Sequence, residues 1–580
     1  MPFPRPSLRA WLVGLLLSLP ASVSAQDSFP VSIHVDAGHI VGKAEPIWRF
    51  FGADEPNYAT MKDGRALLTD LGKLSPGHVY FRTHNLMTSG DGTPALKWGS
   101  TNIYTEDAQG RPVYSWTIVD RIFDTYLQRG VKPYVELGFM PQALSTHPQP
   151  YQHAWRPGLD NLKTGWAYPP RDYAKWDELV YQWIRHCIDR YGRDEVRTWY
   201  FETWNEANLP QYYWGGTREE FFKLHDTTVR AIRRALPEAR IGGPDMAGAN
   251  DDFLPAFMKN EAAAGIEDDF VSFHAKGAPI FIDDGHGGHI RMGIATELQV
   301  ADREFANIAA NAAFKSKPVI IGEADPEGCA ACQGPTNAYR NGTMYASYEA
   351  AVFPRLQALA ARRDVRLQGA VTWAFEYEDQ RYFAGFRQLS TNGVALPVLN
   401  VFRMYAMMGP DTLEAISDHG LPLDAILAQG VRSDPDVGVS ATRDGDKVTI
   451  MVWHYHDDDV PGPAAHISLQ IDHLPEGLGR GALLTQYRVD DRHSNSFTAY
   501  QAMGSPLAPT SAQYDALVAA GALAALSPPQ LLTIHDDRQT VTFDLPRQGV
   551  ALIVLAPPQA SPTATSDHLS SAPEAQRPSR

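Results

Sequence analysis

The stretch RTWYFETWNEANL, residues 197–209, starts as an aromatic, β-prone run and stops at an amide beside a carboxylate, Asn205 and Glu206. An apolar run of about 6–8 residues that ends in polar groups is the pattern of a buried strand of a parallel sheet, delivering side chains at its carboxyl end. Taken alone, the stretch leaves Glu206 as either a catalytic acid/base or an ordinary strand-end carboxylate in a salt bridge. The neighbouring sequence separates the two.

Working outward, seven more short apolar runs share this form, at 50–52, 78–82, 132–137, 240–243, 270–274, 319–323 and 369–373. Longer amphipathic segments lie between them. The clearest is 173–191, where Trp176, Leu179, Val180, Trp183, Ile184 and Cys187 recur at helical spacing between an Asp172 N-cap and Gly192. Eight strand–helix units predict an α/β fold, a (β/α) eightfold TIM barrel over residues 46–400. An open doubly wound sheet is the alternative, but no Gly-rich dinucleotide turn follows any strand. Beyond residue 400 the runs at 448–453, 467–471, 483–489, 541–545 and 550–555 predict a β-sandwich over 401–556, with residues 31–45 contributing a strand. The tail at 557–580, rich in Pro, Ser, Ala and Thr, has the composition of a disordered segment.

The chain opens with Arg5 and Arg9, an apolar run from Ala10 to Leu19, and small residues up to Ala25. That is an export signal over residues 1–25 and predicts a periplasmic or secreted protein. No other run approaches the 18 or so apolar residues of a membrane span. A formal net charge of -16 with no basic stripe excludes a nucleic-acid partner. Thirteen Trp and 24 Tyr would furnish stacking platforms for sugars as well as core. Of three cysteines, Cys329 and Cys332 form a C-x-x-C that can close as a small disulfide in an oxidising compartment. The His- and Asp-containing loops at 283–289 and 454–459 lack a recognised ligand spacing, so no metal is expected.

Polar residues at strand ends are the candidate site of such a barrel: Arg82 and His84, Glu136, Asn205 and Glu206, His274 and Lys276, Glu323, then Trp373, Glu376 and Glu378. Carboxylates on strands four and seven face each other across the mouth. A pair about 5–5.5 Å apart is the machinery of a retaining glycosidase, here with Glu323 as nucleophile and Glu206 as acid/base. Asn205 would hold the sugar 2-hydroxyl, and Arg82 would support Glu323. Glu136 has a competing structural reading as the partner of an arginine, and His274 as a core histidine.

The motifs WNEANL (204–209, preceded by Phe201 and Glu202), RTH (82–84), ELGFMP (136–141), IGGP (241–244), FVSFH (270–274), and YRVD with HSN (487–490, 493–495) resemble those of glycoside hydrolase family 39. The resemblance covers the chain to about residue 555 and looks most like the bacterial β-xylosidases of that family. It implies a catalytic barrel with a β-sandwich, no cofactor, an oligosaccharide or aryl glycoside substrate, Glu206 as acid/base and Glu323 as nucleophile. Two departures stand out. The usual Asn-Glu-Pro is here Asn205-Glu206-Ala207, and the usual Thr-Glu-Trp is Gly322-Glu323-Ala324. The sequence HAKG at 274–277 resembles the sixth strand of α-L-iduronidases, where a lysine meets the substrate carboxylate. Lys276 therefore either marks an acidic-sugar pocket or pairs with a protein carboxylate and leaves a neutral pentose, the reading preferred. An α-L-arabinosidase, an endo-acting polysaccharide hydrolase and a non-catalytic carbohydrate-binding protein are also compatible with these motifs. The aromatic loop at 141–170 is expected to close a pocket.

Overall fold

The computed structural model describes residues 28–74, 77–156, 162–285, 287–479 and 481–558. The export signal and all but the first two residues of the expected tail lie outside them. Eight strands, Phe50–Ala53, Val79–Thr83, Val131–Leu137, Tyr200–Thr203, Arg240–Met246, Phe270–Lys276, Pro318–Asp325 and Arg366–Thr372, close a barrel. All eight neighbouring pairs are parallel. Each expected strand is present at its expected place.

The pleat decides what fills the barrel. Alternate residues point inward, and Phe50, Tyr80, Tyr134, Tyr200, Phe270, Ile320 and Val371 form one buried cluster with Trp373. Tyr80 and Tyr200 rings lie 4.8 Å apart edge to face, and Phe50 stacks on Tyr80 at 5.1 Å. Two residues further along the same faces stand Arg82, Glu136 and Glu202, and four beyond Phe270 stands His274, all fully buried. On three strands the interior thus passes from rings to charges within one pleat. Trp373 fits between the layers because residue 52 is glycine, since a Cβ there would overlap its ring.

The helix Tyr173–Tyr191 buries the predicted apolar stripe. Its first turn is closed by Asp172, which accepts from the Ala174 and Lys175 amides, and Gly192 ends it at φ 85°. Such a cap contributes about 1 kcal/mol.

The second unit is a nine-stranded sheet folded over its own core. The strand Ser28–Lys43 lies at its heart, parallel to Ala464–Asp472 and antiparallel to Asp411–Ser417. Val31, Ile33, Val35, Ile467, Leu469, Ile471, Val541, Phe543 and Leu545 alternate into that core. Strands Asp411–Ser417 and Asp436–Asp444 are additional to those expected: their inward faces carry only short apolar runs, Leu413 with Ala415, and Val437, Val439 and Ala441. The sheet is tied to the barrel by Arg355 to Asp436 at 2.7 Å, Arg291 to Asp458, and Ser347 to Gln548 at 2.7 Å. Cys329 and Cys332 are joined as a disulfide, and Cys187 is a buried free thiol. Among the described residues no helix is long and apolar enough to cross a membrane.

Candidate active site

Arg82 is the hub of the carboxyl end of the barrel. Its guanidinium is fully buried and bonds Glu202 through Nε and Asp245 through Nη2. It also reaches Asn205 Oδ1 at 3.0 Å, Glu136 at 3.1 Å and Glu323 at 3.3 Å, and lies over the Trp373 ring at 4.9 Å. One cation cannot balance four buried carboxylates, so they divide. Burial pushes the Glu136 carboxyl well up and that of Glu202 up to about 8. Against the same burial, Arg82 and then His274 hold the Asp245 carboxyl below its ordinary value. Glu323 is held well below its own: burial opposes the charge, and Lys276, His274 and Arg82 overcome it.

The residues after strand four form a tight turn. Trp204 and Glu206 both adopt left-handed backbone, at φ 70° and 46°. Such conformations cost about 1–3 kcal/mol each and persist only when the surroundings hold them. Here the Trp204 indole donates to Tyr213 O at 2.9 Å and the Glu206 amide to Asp245 O at 3.0 Å. Ala207 in place of proline leaves the turn intact. Glu206 Oε1 is 2.8 Å from His274 Nδ1, whose other nitrogen is 3.0 Å from Asp245 Oδ2. One carboxylate oxygen of Glu206, one of Glu323 and a nitrogen of His274 all lie within 4.8 Å of one another.

Lys276 bonds Glu323 and also Asp325, the latter at 2.6 Å, and those two carboxylates raise its pKa against burial. Asp325 in turn meets Arg387 at 3.2 Å and accepts from the Trp373 amide at 2.8 Å. Glu327 belongs to a separate knot with Arg340, Arg387 and Tyr339.

The solvent-reaching side chains of this cluster are Glu206 at 13 % exposure, Glu323 at 8 % and Lys276 at 17 %. Several expected substrate contacts are instead supports. His84 is buried, bonded to Asp54 at 2.8 Å, with its ring tilted against that of Trp373 at 4.4 Å. Glu136 pairs with Arg82 and His84 and has no exposed surface. His274 is likewise fully buried behind Glu206. Glu376, expected to hold a sugar hydroxyl, lies four residues beyond its strand, fully buried, where it accepts from the Ser390 hydroxyl and the Gly393 amide. Glu378, expected to do the same, instead caps the helix Lys62–Leu71 by accepting from the Asp63 and Gly64 amides. It also borders a groove of about 830 Å³ lined by Tyr58, Trp98, His153 and Trp155.

Glu202, Asp245 and Asp325 join the site without having been singled out by sequence. The signal for Glu202 is its period-two offset from Tyr200. Asp245 and Asp325 follow strand irregularities that no local pattern announces. Tyr213, half-buried, faces Glu206, Asp54 and Glu323, and burial with those charges pushes its phenol well up, keeping it a donor. Among the described residues two groups could hold a metal by proximity, Glu206 with His274 and Glu323, and buried His225 with Glu261 and Asp268. In the first, Lys276 and Arg82 already neutralise Glu323. In the second, His225 is 3.0 Å from Asp268 in an ion pair.

An eight-stranded barrel with two carboxylates this close at the ends of strands four and seven is the arrangement of an O-glycoside hydrolase. The chain belongs to Glycosyl hydrolases family 39, whose profile matches residues 31–528. It is similar to a β-xylosidase of Geobacillus stearothermophilus, 37% identical over 202 residues. That alignment covers 34% of this chain and 36% of the relative, so barely a third of that protein's length is matched. Human α-L-iduronidase is 24% identical over 563 residues, 89% of this chain and 77% of its own. In structure the chain resembles a monomeric β-xylosidase from Caulobacter crescentus CB15, with a TM-score of 0.71 and 24% identity over 91% of this chain and 99% of that one.

Proposed function

We propose that this family 39 glycosidase is a retaining, exo-acting β-D-xylosidase that releases xylose from xylo-oligosaccharides. The observation that carries the mechanism is the held ionisation of Glu323 opposite Glu206, with oxygens of the two carboxylates within 4.8 Å. Oxygens no more than 4.8 Å apart favour the retaining arrangement over the roughly 6.5–9.5 Å separation that an inverting enzyme keeps for its water. Glu323 attacks the anomeric carbon as Glu206 gives its proton to the leaving oxygen, and the C–O bond to the leaving group breaks. A glycosyl ester on Glu323 results. Glu206 then takes a proton from water, which displaces the ester and frees the sugar with its configuration kept. Asn205, whose Oδ1 is fixed by Arg82, keeps Nδ2 without a protein partner among the described residues and can donate to the 2-hydroxyl.

The neutral sugar is favoured by the occupation of Lys276. Its charge is already matched by Glu323 and Asp325, which leaves it none to spare for a uronate. The alternative, an iduronidase-like activity, draws on the long alignment with human α-L-iduronidase and on the position of Lys276 beside the candidate nucleophile. Nitrophenyl β-xyloside and a nitrophenyl α-L-iduronide, offered in parallel, separate the two. Hydrolysis of the xyloside is expected, and hydrolysis of the iduronide alone would contradict the proposal. Export belongs to the same proposal, with the mature chain expected to begin at Gln26, which N-terminal sequencing of the periplasmic or secreted protein reads directly.

A further inference from the structure

Strand six, which carries His274, is flanked by two irregularities. In strand five the register passes from Pro244 opposite Ser272 to Met246 opposite Phe273, so Asp245 is an extra residue. In strand seven it passes from Ile321 opposite Phe273 to Glu323 opposite His274, so Gly322 is another. Such bulges re-aim side chains. Here Asp245, at φ 49°, turns its carboxylate inward between Arg82 and His274, into the space in front of Gly322. A Cβ on Gly322 would collide with Asp245 Oδ1. The two bulges therefore fit one another, and the glycine is the room the aspartate occupies.

We infer that Asp245 is a positioning residue for the acid/base, acting through His274, whose ring and charge it holds against Glu206. This rests on the reading of Glu206 given above. Asp245 accepts from His274 Nε2 at 3.0 Å, which fixes the ring and leaves Nδ1 facing Glu206 at 2.8 Å. Its carbonyl also takes the Glu206 amide, so one residue sets both the backbone and the hydrogen-bond partner of the acid. The proton between Glu206 Oε1 and His274 Nδ1 is shared. The leaving oxygen takes it from the Glu206 carboxyl, as in the mechanism above, and His274 stays in place as the hydrogen-bond partner of that carboxyl. Burial opposes charge on His274, but Glu323 and Asp245 push it up to about 10. The charged or titratable groups around the pair are Asp245, Glu323, Arg82, Lys276 and Tyr213. Among these Asp245 is the anion bonded to the ring. Removing its charge lowers the pH at which the shared proton is lost.

The test is the pH profile of kcat/KM on xylobiose, a substrate whose leaving group needs protonation, for wild type, Asp245→Asn, Gly322→Ala and Glu206→Ala. Asp245→Asn should move the alkaline limb down by about one pH unit, a tenfold loss at pH values on that limb. Gly322→Ala, which displaces the Asp245 carboxylate, should move it the same way, with no further shift in the Asp245→Asn background. If Glu206→Ala abolishes the alkaline limb while Asp245→Asn leaves it in place, the inference about Asp245 falls and the acid/base reading stands. If Glu206→Ala keeps the limb, the acid/base reading itself falls. Imidazole 15N titration of the wild type provides an independent reading should a variant not fold. His274 still charged at pH 8 supports the inference, and titration near pH 6.5 overturns it.

Discussion

Inside the barrel two layers lie one above the other, and on three strands, at Tyr80 and Arg82, Tyr134 and Glu136, and Tyr200 and Glu202, they are a single pleat apart. The lower holds Phe50, Tyr80, Tyr134, Tyr200 and Phe270 packed as rings, while the upper holds Arg82, Glu136, Glu202, Asp245 and His274. The rings stabilise the fold by burying apolar surface and need no partner beyond each other. The charges do the opposite: each is costly to bury and is retained only because its neighbours are fixed. Tyr134 joins the layers, its hydroxyl donating to Glu202 at 2.8 Å. The lower layer makes the upper one rigid, and the upper one turns rigidity into a defined charge on Glu323.

Breaking the upper layer at its exposed edge should have the largest effect. Glu206→Ala should slow xyloside hydrolysis by about 10²–10⁴-fold, less for activated leaving groups, with azide restoring rate on those. Steady-state kinetics with and without azide checks this, and an unchanged rate would refute the role. At the hub, Arg82→Met strands several carboxylates and should cost about 3–5 kcal/mol of stability along with activity, as seen by denaturant titration. Joining the comparison to pH, burial raises the Glu202 carboxyl from 4.5 to about 8. Between those values the unfolded chain has released a proton that the folded one keeps, so stability falls as pH rises through that window. Glu202→Gln should flatten that fall in thermal melts taken across the range. The smallest change is expected at Glu376, outside both layers: Glu376→Gln should leave KM for the xyloside unaltered.

Much of the fold is legible in the sequence because barrel strands announce themselves. Buried on both sides, they read as short apolar runs, and all eight stand out, as does the helix at 173–191. The strand-end rule then brings Arg82, Glu206, His274, Lys276 and Glu323 to one place. It fails at Glu376 and Glu378 because a residue beyond a strand end can turn either way, and only packing against Ser390 and the helix at 62–71 decides. Asp245 stays hidden for a different reason. Its inward aim depends on a bulge, and the bulge depends on a glycine in a strand to which it is not paired. Strands 411–417 and 436–444 go unseen because their inward faces hold only two or three apolar residues, Leu413 and Ala415 in one and Val437, Val439 and Ala441 in the other, between polar ones.

The central claim is that Glu323 is the residue held ionised to attack the sugar. A 2-deoxy-2-fluoro xyloside with a good leaving group traps the glycosyl–enzyme ester, and peptide mass spectrometry locates it. A single adduct on Glu323 is the predicted result. An adduct on Glu327, Glu206 or any other residue would contradict it.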